Sequence, residues 1–105
     1  VMQVSDVDLL EGKASLIADR LRALGHDARL LVLCQLVKYG EMTAGSLTGT
    51  GGLSQSALSQ HLARMREEGI IAYRRDGQTL WYRIADEKIE RLMGELYRLY
   101  CAVDA

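Results

Sequence analysis

The chain has 105 residues, 49% hydrophobic and 26% charged, and its 13 Lys and Arg against 14 Asp and Glu leave a net charge of −1. That length fits one domain with a modest core, and the balanced charge excludes a histone-like or polybasic protein, so any nucleic-acid contact must come from a local patch. The most apolar stretch is broken by Arg29 and Gln35, far short of the ~20 residues that a membrane span needs.

There is no proline, which favours uninterrupted helices. Leu9, Leu10, Ala14, Ile17, Ala18, Leu21 and Leu24 recur at spacings of three and four and predict a helix over about 6–24. Asp6 or Asp8 can cap its start, and Gly25 suits its end. A second helix is expected from Asp27 to about Tyr39, where Leu30, Leu31, Leu33, Cys34, Leu36 and Val37 read as a central core element. Residues 43–53 contain four glycines and three threonines. Each Gly costs a helix about 1 kcal/mol relative to Ala. Any helix there must be short and held by Leu47 and Leu53, and this is the stretch expected to be most flexible.

Ser54 then caps a helix running to Glu68, with Leu58, Leu62 and Met65 as its inner stripe. Ile70–Arg75 and Thr79–Ile84 read as strands of a wing over about 70–84. Leu80, Tyr82 and Ile84 alternate with Trp81 and Arg83 as a half-buried strand requires, and Asp76–Gly77 signals a tight hairpin. A final helix over about 86–101 carries Ile89, Leu92, Met93, Leu96, Leu99 and Tyr100 on one stripe.

The predicted architecture is mainly α with a small β-hairpin, in the order α-α-α-α-β-β-α, spanning 1–105 as one unit. Helices followed by a two-stranded wing form a winged helix-turn-helix. In that arrangement the helix over 54–68 enters the major groove of double-stranded DNA. Gln55, Ser56, Ser59 and Gln60 offer base-edge donors and acceptors on its first turns, since Gln pairs bidentately with adenine and Ser meets several bases. His61, expected to pack or to touch the DNA backbone, and Arg64, a further DNA contact, follow on the same helix. Arg74, Arg75 and Gln78 sit at the wing, where arginines meet phosphates or the minor groove. Residues 54–85 hold five arginines against three acidic residues, a small bias in the expected direction. A polar helix face is often merely solvated, and a winged helix can serve protein interaction alone, so the order of elements carries this reading.

Three segments, LGHDARLLVLCQL (24–36), LSQSALSQHLARMREEGII (53–71) and YRRDGQTLWYRI (73–84), resemble the ArsR/SmtB family of bacterial transcriptional regulators. The similarity covers roughly residues 16–101. It implies a homodimer built through the first and last helices, with two recognition helices about 34 Å apart on a near-palindromic operator, and a role as a repressor. The stripes on the two terminal helices agree with this, although such stripes also suit a monomer core. The glycine-rich 43–53 segment departs from the family's pattern.

Many members of this family sense metals through Cys clusters on the third helix or Asp, His and Glu sets on the last, because transition ions demand several ligands. Neither set is present here, and a site from His26, Cys34 and Cys101 is the remaining metal alternative. No metal and no cofactor are expected. A lone Cys on a core helix is usually a small buried hydrophobe. Even so, Cys34 within LVLCQL and Cys101 after LYRLY look like the family's sulfur-sensing, persulfide-responsive branch. That resemblance implies a dithiol pair that reacts with reactive sulfur species, closes a disulfide or polysulfide bridge and releases DNA. A thiol enzyme is disfavoured because the neighbours of Cys34 are aliphatic, whereas a reactive thiolate wants an electropositive setting. Val1–Asp6 shows no basic start followed by an apolar run, so a cytoplasmic setting, without membrane contact, is expected.

Overall fold

A computed structural model describes residues 4–101. Helix α1 (Val4–Leu24) leads to α2 (Asp27–Tyr39). A short strand β1 (Met42–Thr43) and a one-turn helix α3 (Ala44–Leu47) follow. A 3-10 turn (Thr50–Gly52) precedes helix α4 (Gln55–Glu67). Strands β2 (Ile71–Asp76) and β3 (Thr79–Ile84) make the wing, and α5 (Glu87–Tyr100) ends the fold. This is the expected winged helix-turn-helix with one addition. The sequence read no strand at 42–43, yet β1 pairs antiparallel with β3 (Met42 opposite Tyr82, Thr43 opposite Trp81), so the wing is a three-stranded sheet in the order β1-β3-β2. Two residues are too few to show a period of two, so only the pairing reveals them.

The hairpin turn also sits one residue later than expected. Asp76 pairs with Thr79, so Gly77–Gln78 is the two-residue turn, with Gly77 at φ +64° in its first position. A glycine there tolerates the positive φ that a tight hairpin demands.

Local capping explains the helix starts. Ser54 Oγ accepts the Ala57 N–H at 3.1 Å to open α4, and Asp86 Oδ1 accepts the Lys88 N–H at 2.9 Å to open α5. Gly40, at φ +81°, closes α2. The core centres on α2: Val32, Leu33 and Leu36 are fully buried against Leu47, Leu58, Met65, Ile70 and Ile71. Each such side chain stabilises the fold by about 1.5–3 kcal/mol relative to exposure.

Most of the apolar stripe on α1 lies outside this core. Ala23 and Leu24 are buried, but Leu9, Leu10, Leu16, Ile17 and Leu21 are exposed, as are Leu99 and Tyr100 at the end of α5. The radius of gyration is 15.5 Å, against roughly 13 Å for a compact chain of this length. The accessible surface is 7411 Å², against roughly 5,900 Å² for a compact monomer of this mass. No helix among the described residues is long and apolar enough to cross a membrane.

Candidate nucleic-acid interface

Helix α4 turns Leu58, Leu62 and Met65 inward and leaves Gln55, Ser56, Ser59, Gln60 and Arg64 exposed. The four uncharged side chains lie on the first two turns, where a helix seated in the major groove reads bases. The C-terminal end of α4 is anchored from both sides. The Arg20 guanidinium donates to the Glu68 carbonyl and lies 3.5 Å from the Asp86 carboxylate. That arrangement ties α1, the end of α4 and the start of α5 together.

Of the two settings expected for His61, packing or touching the DNA backbone, the structure shows packing contacts. It is half-buried, and its Nδ1 accepts from Arg29 Nε of α2 at 3.0 Å. Arg29 also donates to the Ala23 carbonyl at 3.3 Å. The His26 ring lies 4.7 Å from the His61 ring. Burial first, then the Arg29 guanidinium, with smaller effects from the neighbouring His26 and Arg64, holds the His61 pKa below its ordinary value. A neutral imidazole is what the Arg29 donor needs, because only an unprotonated Nδ1 accepts. His26 itself caps α2, its Nδ1 accepting the Ala28 N–H at 3.2 Å.

At the wing, Arg74 and Arg75 part company. The Arg74 guanidinium donates to both oxygens of Glu41, with Nε 2.9 Å from Oε2 and Nη2 3.0 Å from Oε1. It also lies 5.6 Å from the centroid of Trp81, its cross-strand partner. This fork lowers the Glu41 pKa and raises that of Arg74. Arg74 therefore fastens β2 to the residue before β1. Arg75 is exposed and has no ion-pair partner among the described residues, and Gln78 is exposed in the turn. Glu41 carried no local signal: its role arises from a partner 33 positions away.

The segment expected to be loose is fastened to α2. Gln35 Nε2 donates to Thr50 Oγ1 at 2.8 Å, and Thr50 is buried. Gly51, at φ +61°, comes so near α2 that a Cβ there would stand 3.3 Å from both Ala28 Cα and Leu31 Cδ1. Helix α4 thus begins from a support packed on the helix that carries Cys34.

Cys34 and Cys101, 67 positions apart, line one groove of about 340 Å³ between α2 and α5. Leu30 and Leu31 form its α2 wall, and Met93, Leu96, Tyr97 and Tyr100 its α5 wall. Both thiols are unbridged, with Cys34 half-buried and Cys101 exposed. His26 does not line this groove. Among the described residues no group of three His, Cys, Asp or Glu side chains is placed to hold a metal ion.

Residues 26–73 match the arsR family of bacterial regulatory proteins. The chain is 42% identical over 98 residues to the HTH-type transcriptional regulator YgaV of Escherichia coli, spanning 93% of this chain and 99% of that protein. The fold superposes on the transcriptional repressor BigR from Xylella fastidiosa with a TM-score of 0.82 and 36% identity, covering 97% of this chain and 100% of the other. Reduced HlyU from Vibrio cholerae gives a TM-score of 0.81 at 35% identity, covering 89% and 97%.

Proposed function

The chain belongs to the arsR family of bacterial DNA-binding transcriptional regulators, and from that premise we propose a homodimeric repressor whose grip on its operator is switched by reactive sulfur at Cys34 and Cys101. The observation that carries the switch is that these two cysteines line the same groove. A direct disulfide needs Cα atoms about 4.4–6.8 Å apart, and an intervening sulfur relaxes that limit.

The chemistry closes in two displacements. The Cys34 thiolate attacks the outer sulfur of a persulfide RSSH, forming Cys34–S–SH and expelling RS⁻, which takes up a proton. The Cys101 thiolate then attacks Cys34 Sγ and expels HS⁻, leaving a disulfide. Two thiols are oxidised by two electrons, and the outer sulfur leaves reduced as sulfide. With an organic trisulfide RSSSR, Cys34 and then Cys101 attack the central sulfur and expel two RS⁻, leaving a trisulfide bridge.

Dimerisation is supported by the surface balance. The excess over a compact monomer is about 1,500 Å², more than the roughly 800 Å² per partner of a standard interface, and Leu9, Leu10, Ile17, Leu21 and Leu99 are exposed on the terminal helices. DNA contact is assigned to Gln55, Ser56, Ser59, Gln60 and Arg64 on α4 and to Arg75 and Gln78 on the wing. Arg74 and His61 act one step back, holding the wing and the recognition helix. Coupling runs from Cys34 through its neighbour Gln35 to Thr50, and from there into α4. A bridge moves the equilibrium only as far as it favours the released state.

The test measures operator binding by fluorescence anisotropy, with a DNA site selected in vitro, before and after a persulfide donor. Wild type should bind when reduced, gain a Cys34–Cys101 bridge by mass, and lose at least tenfold in affinity, about 1.4 kcal/mol. Cys34→Ser should bind DNA equally well and ignore the donor. Release of Cys34→Ser as readily as wild type, or the lack of any bridging mass, overturns the switch. A monomer by sedimentation at micromolar concentration overturns the dimer.

A further inference from the structure

The walls of the thiol groove lead one step beyond that reading and rest on it: they select among sulfur donors. Apart from the two cysteines, every lining residue is an aliphatic, a methionine or a tyrosine. The nearby charges on α5, Glu95 and Arg98, are spent on each other in an ion pair and do not line the groove. An anionic donor entering here gives up hydration and meets no cation in return. A neutral donor gives up only apolar surface, and losing that surface to Leu31, Met93 and Leu96 favours binding. The volume, about 340 Å³, is at the small end of ligand pockets, and its mouth is rimmed by the exposed Tyr97 and Tyr100.

We propose that this groove selects neutral, apolar sulfane-sulfur donors, of the dialkyl tri- and tetrasulfide class, over anionic polysulfides and carboxylate-bearing donors. For a dialkyl trisulfide the Cys34 thiolate bonds to the central sulfur and one alkanethiolate leaves. Cys101 bonds to the same sulfur and the second alkanethiolate leaves, so two electrons pass from the protein thiols to the donor. Burying about 60 Å² of alkyl surface beside Cys34 before the first attack raises its occupancy about tenfold. The groove thus sets the first rate, and the second thiol captures the product.

The experiment uses the full reduced chain and two trisulfides of nearly equal size: dipropyl trisulfide, and bis(2-carboxyethyl) trisulfide, which carries two carboxylates. Bridging rates are followed by intact mass and divided by the rate of each reagent with N-acetylcysteine, which removes their intrinsic reactivity. The normalised ratio should favour the dipropyl reagent about tenfold. Tyr100→Lys, at a residue 82% exposed, should cut that ratio several-fold by admitting the dianion, with bridging and the circular-dichroism spectrum retained. Leu31→Lys, on the opposite wall, should do the same. A normalised ratio within twofold of unity, or one that ignores both lysines, overturns the selectivity while leaving the thiol switch intact. Failure of both reagents to bridge Cys34 to Cys101 overturns the switch and the selectivity together.

Discussion

Replacing Gly51 by alanine should destabilise this protein more than the same change one residue later, and the difference measures how tightly the turn before α4 is clamped. Gly51 and Gly52 both have positive φ, +61° and +76°. An alanine at either position meets the left-handed penalty of about 1–2 kcal/mol, partly offset by about 0.4–1 kcal/mol from a less flexible unfolded chain. Gly52 has open space where a Cβ would stand, so Gly52→Ala should cost only about 1 kcal/mol. At Gly51 the new methyl would lie 3.3 Å from Ala28 Cα, which is backbone and yields little. Overpacking of that kind adds about 1–3 kcal/mol, giving a total of about 2–4 kcal/mol. At roughly 5 °C per kcal/mol for a domain of this size, Tm should fall by about 5 °C for Gly52→Ala and by about 10–20 °C for Gly51→Ala. Thermal unfolding by circular dichroism checks this at one fixed protein concentration, because an oligomer's Tm depends on concentration. Since Gly51 and Thr50 seat the start of α4 on α2, the Gly51 variant should also bind operator more weakly. Equal Tm values for the two variants would refute the claim that this turn is wedged against α2.

The division of labour at the wing predicts that Arg75→Ala weakens DNA binding uniformly across sequences and flattens its salt dependence by about one counterion, whereas Arg74→Ala leaves that slope unchanged and lowers Tm; anisotropy titrations over a range of salt concentrations separate the two. Gln60→Ala should cost about 1–3 kcal/mol on the selected operator and little on unrelated DNA, which competition binding will read. His61 has a depressed pKa in the folded protein, so the unfolded chain binds the proton more readily. Its contribution to stability is full above the ordinary histidine value near 6.5 and is lost as pH falls through the lower folded value. Urea melts from pH 7.5 to 5.5 should therefore show declining stability, and His61→Asn, which keeps an acceptor for Arg29 and cannot titrate, should flatten that decline. An unchanged slope in the variant would place the pH dependence elsewhere.

Much of this protein is legible without coordinates because helices and strands announce themselves locally. The periods of 3.6 and 2, the Ser54 cap, and the glycine of the hairpin all act within a few residues, so α1, α2, α4, α5 and the β2–β3 hairpin follow from spacing alone. The uncharged polar turn at Gln55–Gln60 is visible for the same reason: once Leu58, Leu62 and Met65 face inward, helical geometry dictates what faces out. Other features depend on groups that meet only after the chain has folded. Glu41 and Arg74 lie 33 positions apart, and Arg29 and His61 lie 32 apart, so no window along the sequence pairs them. Strand β1 exists because β3 passes beside it. The 43–53 stretch looks loose by propensity, yet Gln35, Ala28 and Leu31 hold it, since a glycine that weakens a helix also permits the closest approach of two backbones. The fate of α1's apolar stripe is decided the same way, for periodicity states which side of a helix is apolar and is silent on what covers it. Spacing does not relate Cys34 to Cys101, 67 positions on; the family resemblance implied their pairing, and the packing of α2 beside α5 is what sets both on one groove.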